Sequence, residues 1–152
     1  MVYISPEKLK ELKKELEKRK MVLRQKIAKR IQEAQAEGDI TENAEYAEAK
    51  ESQAFNEGRI LELESLINNA VLVSKKRKKT DVVTIGSQVI VKDSRGKNFE
   101  FTIVGSEDSN PIEGKISNES PLGQAFLNSK KGEEIEVQTP RGKTKYKIIN
   151  VK

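Results

Sequence analysis

The residues best suited to chemistry lie in one run, Gly38-Asp39-Ile40-Thr41-Glu42-Asn43-Ala44-Glu45-Tyr46. The chain has no His and no Cys. Thiol and imidazole nucleophiles, Ser-His-Asp triads, His general bases, Cys- or His-based zinc sites and disulfide frameworks are therefore excluded. Carboxylates, amines and hydroxyls remain. An oxygen-rich cluster suits Mg²⁺, an ion that keeps most of its waters and takes one or two carboxylates plus substrate phosphates. Asp39 and Glu42 alone would hold it weakly. They would be effective only where another macromolecule supplies the remaining ligands. The same spacing has a second meaning. Asp39-x-x-Glu42 fits a capping box, with Asp39 as N-cap and Glu42 three positions on, and acids near a helix start complement its dipole. Spacing alone leaves both readings open.

Two long helices are expected to carry this run. Ser5-Pro6-Glu7 combines a good N-cap, a proline suited to the first helical position and an acid for the positive dipole end. From there to Glu37 there is no glycine and no further proline, and strong helix formers dominate. Leu9, Leu12, Leu16, Leu23, Ile27, Ile31 and Ala34 form a narrow apolar stripe that needs a partner. A helix over 6–37 would be roughly 48 Å long. Gly38 interrupts it, and helix signals resume from Glu42 to about Ala70. Ala44, Ala47, Phe55, Ile60, Leu63, Ile67 and Ala70 give the expected second seam. A short connection makes the two helices antiparallel neighbours. Gly58 sits inside the second helix at a cost of about 1 kcal/mol relative to Ala, for which close helix–helix approach is the reason that suggests itself.

Charge follows the same division. The chain has 152 residues and a net charge of +5. Residues 1–73 are net −1 and residues 74–152 net +6. Within the first part, 8–30 is net +8 and 31–51 is net −6. A basic shaft therefore runs into an acidic tip. The shaft is either a polyanion-facing surface or a solvated face with i,i+4 pairs. No aromatic is interleaved between Lys8 and Arg30, so neither base stacking nor sequence-specific readout is supported. Ser74–Asp81 contains the basic run Lys75–Lys79 and no apolar residue. It reads as a linker, either a solvated hinge or a phosphate contact.

After Asp81 the period becomes that of strands. Val82–Thr84, Gln88–Val91 and Asn98–Val104 are the first three, with a turn at Asp93–Gly96. Ser120-Pro121 caps a short helix ending near Leu127, and Glu134–Gln138 with Thr144–Val151 forms a terminal hairpin. Phe99, Phe101, Phe126 and Tyr146 read as core. The fold class is thus α+β: a long antiparallel helical hairpin over 1–73 with its acidic tip at 38–46, a linker at 74–81, and a small module at 82–152 with a mainly antiparallel sheet. Apolar residues make up 35% of the chain, against roughly 45–50% in a typical globule, which suits a rod plus a small module. No apolar run approaches the ~20 residues of a membrane span. The expectation is a soluble, cytoplasmic protein with no membrane partner.

The run GDITENAEYAEAKESQAFNEGRI from Gly38 to Ile60, followed downstream by ISNESPLGQAFLNSKKGEE, resembles the bacterial Gre factors, and within them the GreA type. The likeness covers the whole chain. It implies an N-terminal coiled coil that enters the secondary channel of RNA polymerase and an FKBP-like C-terminal domain that docks on the enzyme. It implies further that Asp39 and Glu42 help the polymerase hold its second Mg²⁺ and a water while a backtracked transcript is hydrolysed near its 3′ end. Tyr46 and Lys50 would lie near that RNA end. The position one turn before Gly38, often basic in the family, is Gln35. No proline isomerase activity is expected, since the chain has no Trp and few aromatics. On this reading the protein is not an enzyme but stimulates the polymerase's own cleavage. Rival readings are a non-catalytic regulator in the same channel, or a coiled-coil adaptor that contacts DNA or RNA nonspecifically through its basic surface.

Overall fold

A computed structural model describes residues 1–38, 43–74 and 80–152. The fold is mixed, with a long N-terminal helical part and a five-stranded sheet. It divides into two compact units, Leu9–Asn69 and Met1–Lys8 with Ala70–Lys152. Among the described residues no helix is long and apolar enough to cross a membrane.

The helical unit is built from α1 (Pro6–Lys18), a π-helical turn (Arg19–Leu23), α2 (Arg24–Ala36) and α3 (Ala44–Asn68). The expected first helix is therefore present but changes pitch in its middle. The stripe itself explains the change. Between Leu16 and Leu23 the two seam positions are Arg19 and Lys20, which cannot be buried as leucines are. The widened turn accommodates them: Asn56 on α3 is 3% exposed, accepts from Arg19 Nη1 at 3.1 Å and donates to the Arg19 carbonyl at 3.3 Å. Ion pairs then run down both flanks. Arg24 donates twice to Glu57, at 2.7 and 2.8 Å, Lys20 pairs with Glu64, and Glu15 takes both Arg19 and Arg59. These pairs set α3 antiparallel to the first arm.

The second seam differs from the expected one. Ala49, Asn56, Ile60 and Leu63 are the buried residues of α3, while Ala44, Ala47 and Phe55 face solvent. The expected set mixed two faces, because Phe55 lies beside the true seam position Asn56. Phe55, expected on the seam, is outside, and the polar Asn56 takes the buried position beside it. Ala70 lies beyond the helix, in a strand. Gly58 is not explained by close helix approach, since a Cβ built there meets nothing within 4 Å.

The other unit holds two sheets. β1 (Val2–Ile4) pairs in parallel with β2 (Ala70–Leu72), a pairing that three-residue strands do not announce by periodicity. It is held from below: a Cβ on Gly105 would collide with the Tyr3 carbonyl, so glycine permits that approach. Asp108 accepts from the Ser5 amide at 2.8 Å and its hydroxyl at 2.6 Å, and the same hydroxyl accepts from the Lys8 amide at 3.1 Å, capping α1. The larger sheet has strand order β5-β4-β3-β7-β6, from β3 (Gln88–Asp93), β4 (Asn98–Val104), β5 (Lys115–Ser117), β6 (Glu134–Thr139) and β7 (Gly142–Val151). Only its β4–β5 pairing is parallel. Val82 forms a single bridge to Lys130 in place of the expected strand. The short helix α4 (Pro121–Phe126) starts as expected, with Ser120 Oγ accepting from the Gly123 amide at 3.0 Å. Val83, Val89, Val91, Ile103, Ile116, Phe126 and Ile148 form the core, with Phe99, Phe101 and Tyr146 packed against it. Phe126 is fully buried, a contribution of roughly 1.5–3 kcal/mol from its apolar surface.

Candidate functional site: the closed end of the helical hairpin

The candidate site lies where α2 ends and α3 begins. Helix ends leave carbonyls and amides without intrahelical partners, and here one side chain serves both. Asn43 is the N-cap of α3, and its Oδ1 accepts from the Glu45 and Tyr46 amides at 3.1 and 3.2 Å. Its Nδ2 donates to the carbonyl of Ala34, in the last turn of α2, at 2.7 Å. Ala34 is buried, and its small side chain lets the arms close. Gly38 has φ +127°, a conformation that favours glycine and turns the chain out of α2. The helix breaker is thus where the sequence put it.

Asn43 caps the second helix. Asn is among the strongest N-cap residues, and Asn43 stands directly before the helical run, so its signal is local. Asp39 and Glu42 themselves, like the basic run Lys75–Lys79, lie outside the described residues. The described residues that flank the two acids are Gly38 and Asn43.

Tyr46 and Lys50 fall on the first two turns of α3. At i and i+4 they share one helix face. Tyr46 is half-buried and Lys50 exposed, with Lys50 Nζ donating to Gln53 Oε1 at 3.0 Å. Around them stand further acids. Glu48 lies 3.8 Å from Arg30 and Glu33 lies 3.8 Å from Lys29, both loose and exposed pairs that water and salt screen. Glu45 sits in the first turn of α3, where the dipole favours it. Among the described residues no group of three acids is placed to hold a metal ion.

Among the described residues the strongest electrostatic perturbation is elsewhere, in the shaft. Hydrogen bonding from Arg59 holds the Glu15 carboxyl at about 2, below its usual 4.5; Arg19 adds to this and partial burial opposes it. Arg59 is correspondingly raised, by Glu15 first and then Glu62. This cluster is structural: both arginines spend their guanidinium groups on the hairpin itself.

Comparison with known proteins adds independent information. Residues 2–72 match the family described as "Transcription elongation factor, N-terminal", and residues 78–152 match "Transcription elongation factor, GreA/GreB, C-term". The chain is 48% identical to transcription elongation factor GreA of Clostridium acetobutylicum, over 95% of this chain and 92% of that protein. It is also 48% identical to the GreA of Alkaliphilus oremlandii, over 99% and 95%. The crystal structure of GreA factor homolog 1 of Thermus thermophilus aligns over 99% of this chain and 98% of that one, at 27% identity and a TM-score of 0.45.

Proposed function

The chain belongs to the GreA/GreB family of transcription elongation factors, and we propose that it acts on RNA polymerase by stimulating cleavage of backtracked RNA, so that arrested complexes resume. The observation that carries this reading is the match of both family models, together spanning nearly the whole chain. The helical hairpin, as a coiled coil, enters the secondary channel. The module over 82–152, of FKBP-like type, docks on the enzyme, and residues 74–81 join the two.

Asp39 and Glu42 would hold an Mg²⁺ shared with the polymerase. The donor set fits that ion: two hard carboxylates, with neighbouring polar groups already committed, since the Asn43 amide spends both its ends on backbone partners. Such an ion supplies charge neutralisation at the scissile phosphate. The chain's own contribution is placement. Asn43 joins the two arms, and Gly38 turns the chain out of α2, so the residues on either side of the acids are held by the hairpin. Tyr46 and Lys50 lie within two turns, so an aromatic ring and a cation would flank the RNA 3′ end. The polymerase remains the enzyme, and this chain completes its site.

The test is a cleavage assay on a backtracked complex with purified polymerase. Asp39→Asn with Glu42→Gln is expected to lose stimulated cleavage and keep polymerase affinity. Full cleavage by that double variant would overturn the mechanism. Polymerase binding without cleavage by the unmodified chain would instead mark a non-catalytic channel regulator.

A further inference from the structure

Among the described residues nothing requires residue 58 to be glycine. It lies in the interior of α3, its φ is not in the left-handed region, it is exposed, and a Cβ there would meet none of the described atoms within 4 Å. Glycine in a helix interior is disfavoured relative to alanine. By contrast, Gly105 is demanded by the Tyr3 carbonyl beneath it.

The surroundings of Gly58 suggest what occupies the space. With Phe55, Arg59 and Glu62 it lines a depression of about 500 Å³. Phe55, one turn earlier, is 71% exposed. Arg59 on its rim is engaged by hydrogen bonds: Nε and Nη2 donate to the Glu15 carboxylate at 3.0 and 3.1 Å, and Nη1 donates to Glu62 at 2.8 Å. Arg19, itself bound to Glu15 at 2.9 Å, lies 6.0 Å from the Phe55 ring centroid. Two arginines therefore face two glutamates, and the seat carries no net charge. A phosphate backbone would need net positive charge. An exposed aromatic beside a bare backbone floor suits an apolar protein projection at close range.

We propose that the Phe55–Gly58–Glu62 face of α3 seats a neutral, apolar side chain of RNA polymerase. This grips the hairpin roughly 22 Å along the helix from Asn43. The proposal rests on the family reading that polymerase is the partner.

Full-length Gly58→Ala, Gly58→Gln and Phe55→Ala are compared with the unmodified chain for thermal unfolding, polymerase affinity, stimulated cleavage, RNA binding and self-association. Both Gly58 variants are expected to raise Tm by about 2–4 °C, because a helix-interior glycine is removed. Gly58→Gln, which fills the seat, should nonetheless lower polymerase affinity roughly tenfold or more. Phe55→Ala should lower it without loss of Tm. Unchanged affinity and cleavage in Gly58→Gln would overturn the seat. So would a loss confined to self-association, which would make a second copy the occupant, or one confined to RNA binding. An unmodified chain that fails to bind polymerase would overturn the functional reading as well, whereas unmodified binding with an unaffected Gly58→Gln overturns the seat alone.

Discussion

The two units solve the problem of stability in opposite ways. In the sheet unit, Val83, Val89, Val91, Ile103, Ile116, Phe126 and Ile148 close a continuous apolar core, and charges stay outside it. Among the described residues of the helical unit the buried apolar side chains are Leu12, Ala34, Ala49, Ile60 and Leu63. Buried area that small defines a seam but little more. Register there is set by polar groups: the Asn56–Arg19 exchange at the π-helical turn, the Glu15–Arg59 fork, and Asn43 between the arms. Exposed ion pairs are individually worth about 0–1 kcal/mol, so the buried or bifunctional amides matter more than the count of charges. One unit is made to be stable, and the other to hold its closed end in place at modest stability.

That contrast is open to direct attack. Phe126→Ala should be the most damaging change, at about 3–5 kcal/mol, read as a fall in Tm or in the urea midpoint. Its effect belongs to the sheet unit and should leave the hydrogen-exchange pattern of α3 largely intact. Next comes Asp39→Asn with Glu42→Gln. Stimulated cleavage should fall roughly 100-fold, with Tm unchanged, so that the closed end loses function without stability. Asn43→Ala should cost about 1 kcal/mol and speed amide exchange at Glu45 and Tyr46. It should also lower cleavage while leaving the sheet unit unaffected, since the bond from Asn43 to the Ala34 carbonyl is lost.

The smallest effect is the pH dependence of the Glu15 fork. Its folded-state pKa of about 2 lies below the ordinary 4.5. A depressed carboxyl contributes stability that is fully present above its unfolded value and is lost as pH falls through the folded one. The loss should therefore run from about pH 4.5 down to 2. Glu15 is a third exposed, so screening holds the contribution under about 1 kcal/mol. Glu15→Gln should flatten that part of the Tm–pH curve, and a variant that loses stability equally at pH 3 and pH 7 would show that the fork acts by packing instead.

Much of the fold was legible because it is local. β4 alternates Phe99, Phe101 and Ile103 on one face, and its bounds match the expected Asn98–Val104. Ser120-Pro121 starts a helix for reasons contained in two residues, and Gly38 breaks one for reasons contained in itself. Membership of the family was legible in the run from Gly38 to Ile60. At the candidate site, the acidic segment and the two residues after it, Tyr46 and Lys50, could be named. The cap of α3 is Asn43, a strong N-cap residue directly before the helical run; its bond back to the Ala34 carbonyl is a contact between two helices that no local pattern shows.

What the residues determine alone is therefore the set of elements, the position of the break between the helices, and the absence of thiol and imidazole chemistry. Each follows from propensity, period or composition, which need no partner. Tertiary structure decided the rest. It turned the first helix through a π-helical turn so that Arg19 could reach Asn56, and put Asn56 inside while leaving Phe55 outside. It drew Val2–Ile4 against Ala70–Leu72 over Gly105. It left Gly58 bare on its surface. In every such case the deciding contact joins residues at least 37 positions apart, or is a contact the described residues do not make. A local pattern carries no record of either.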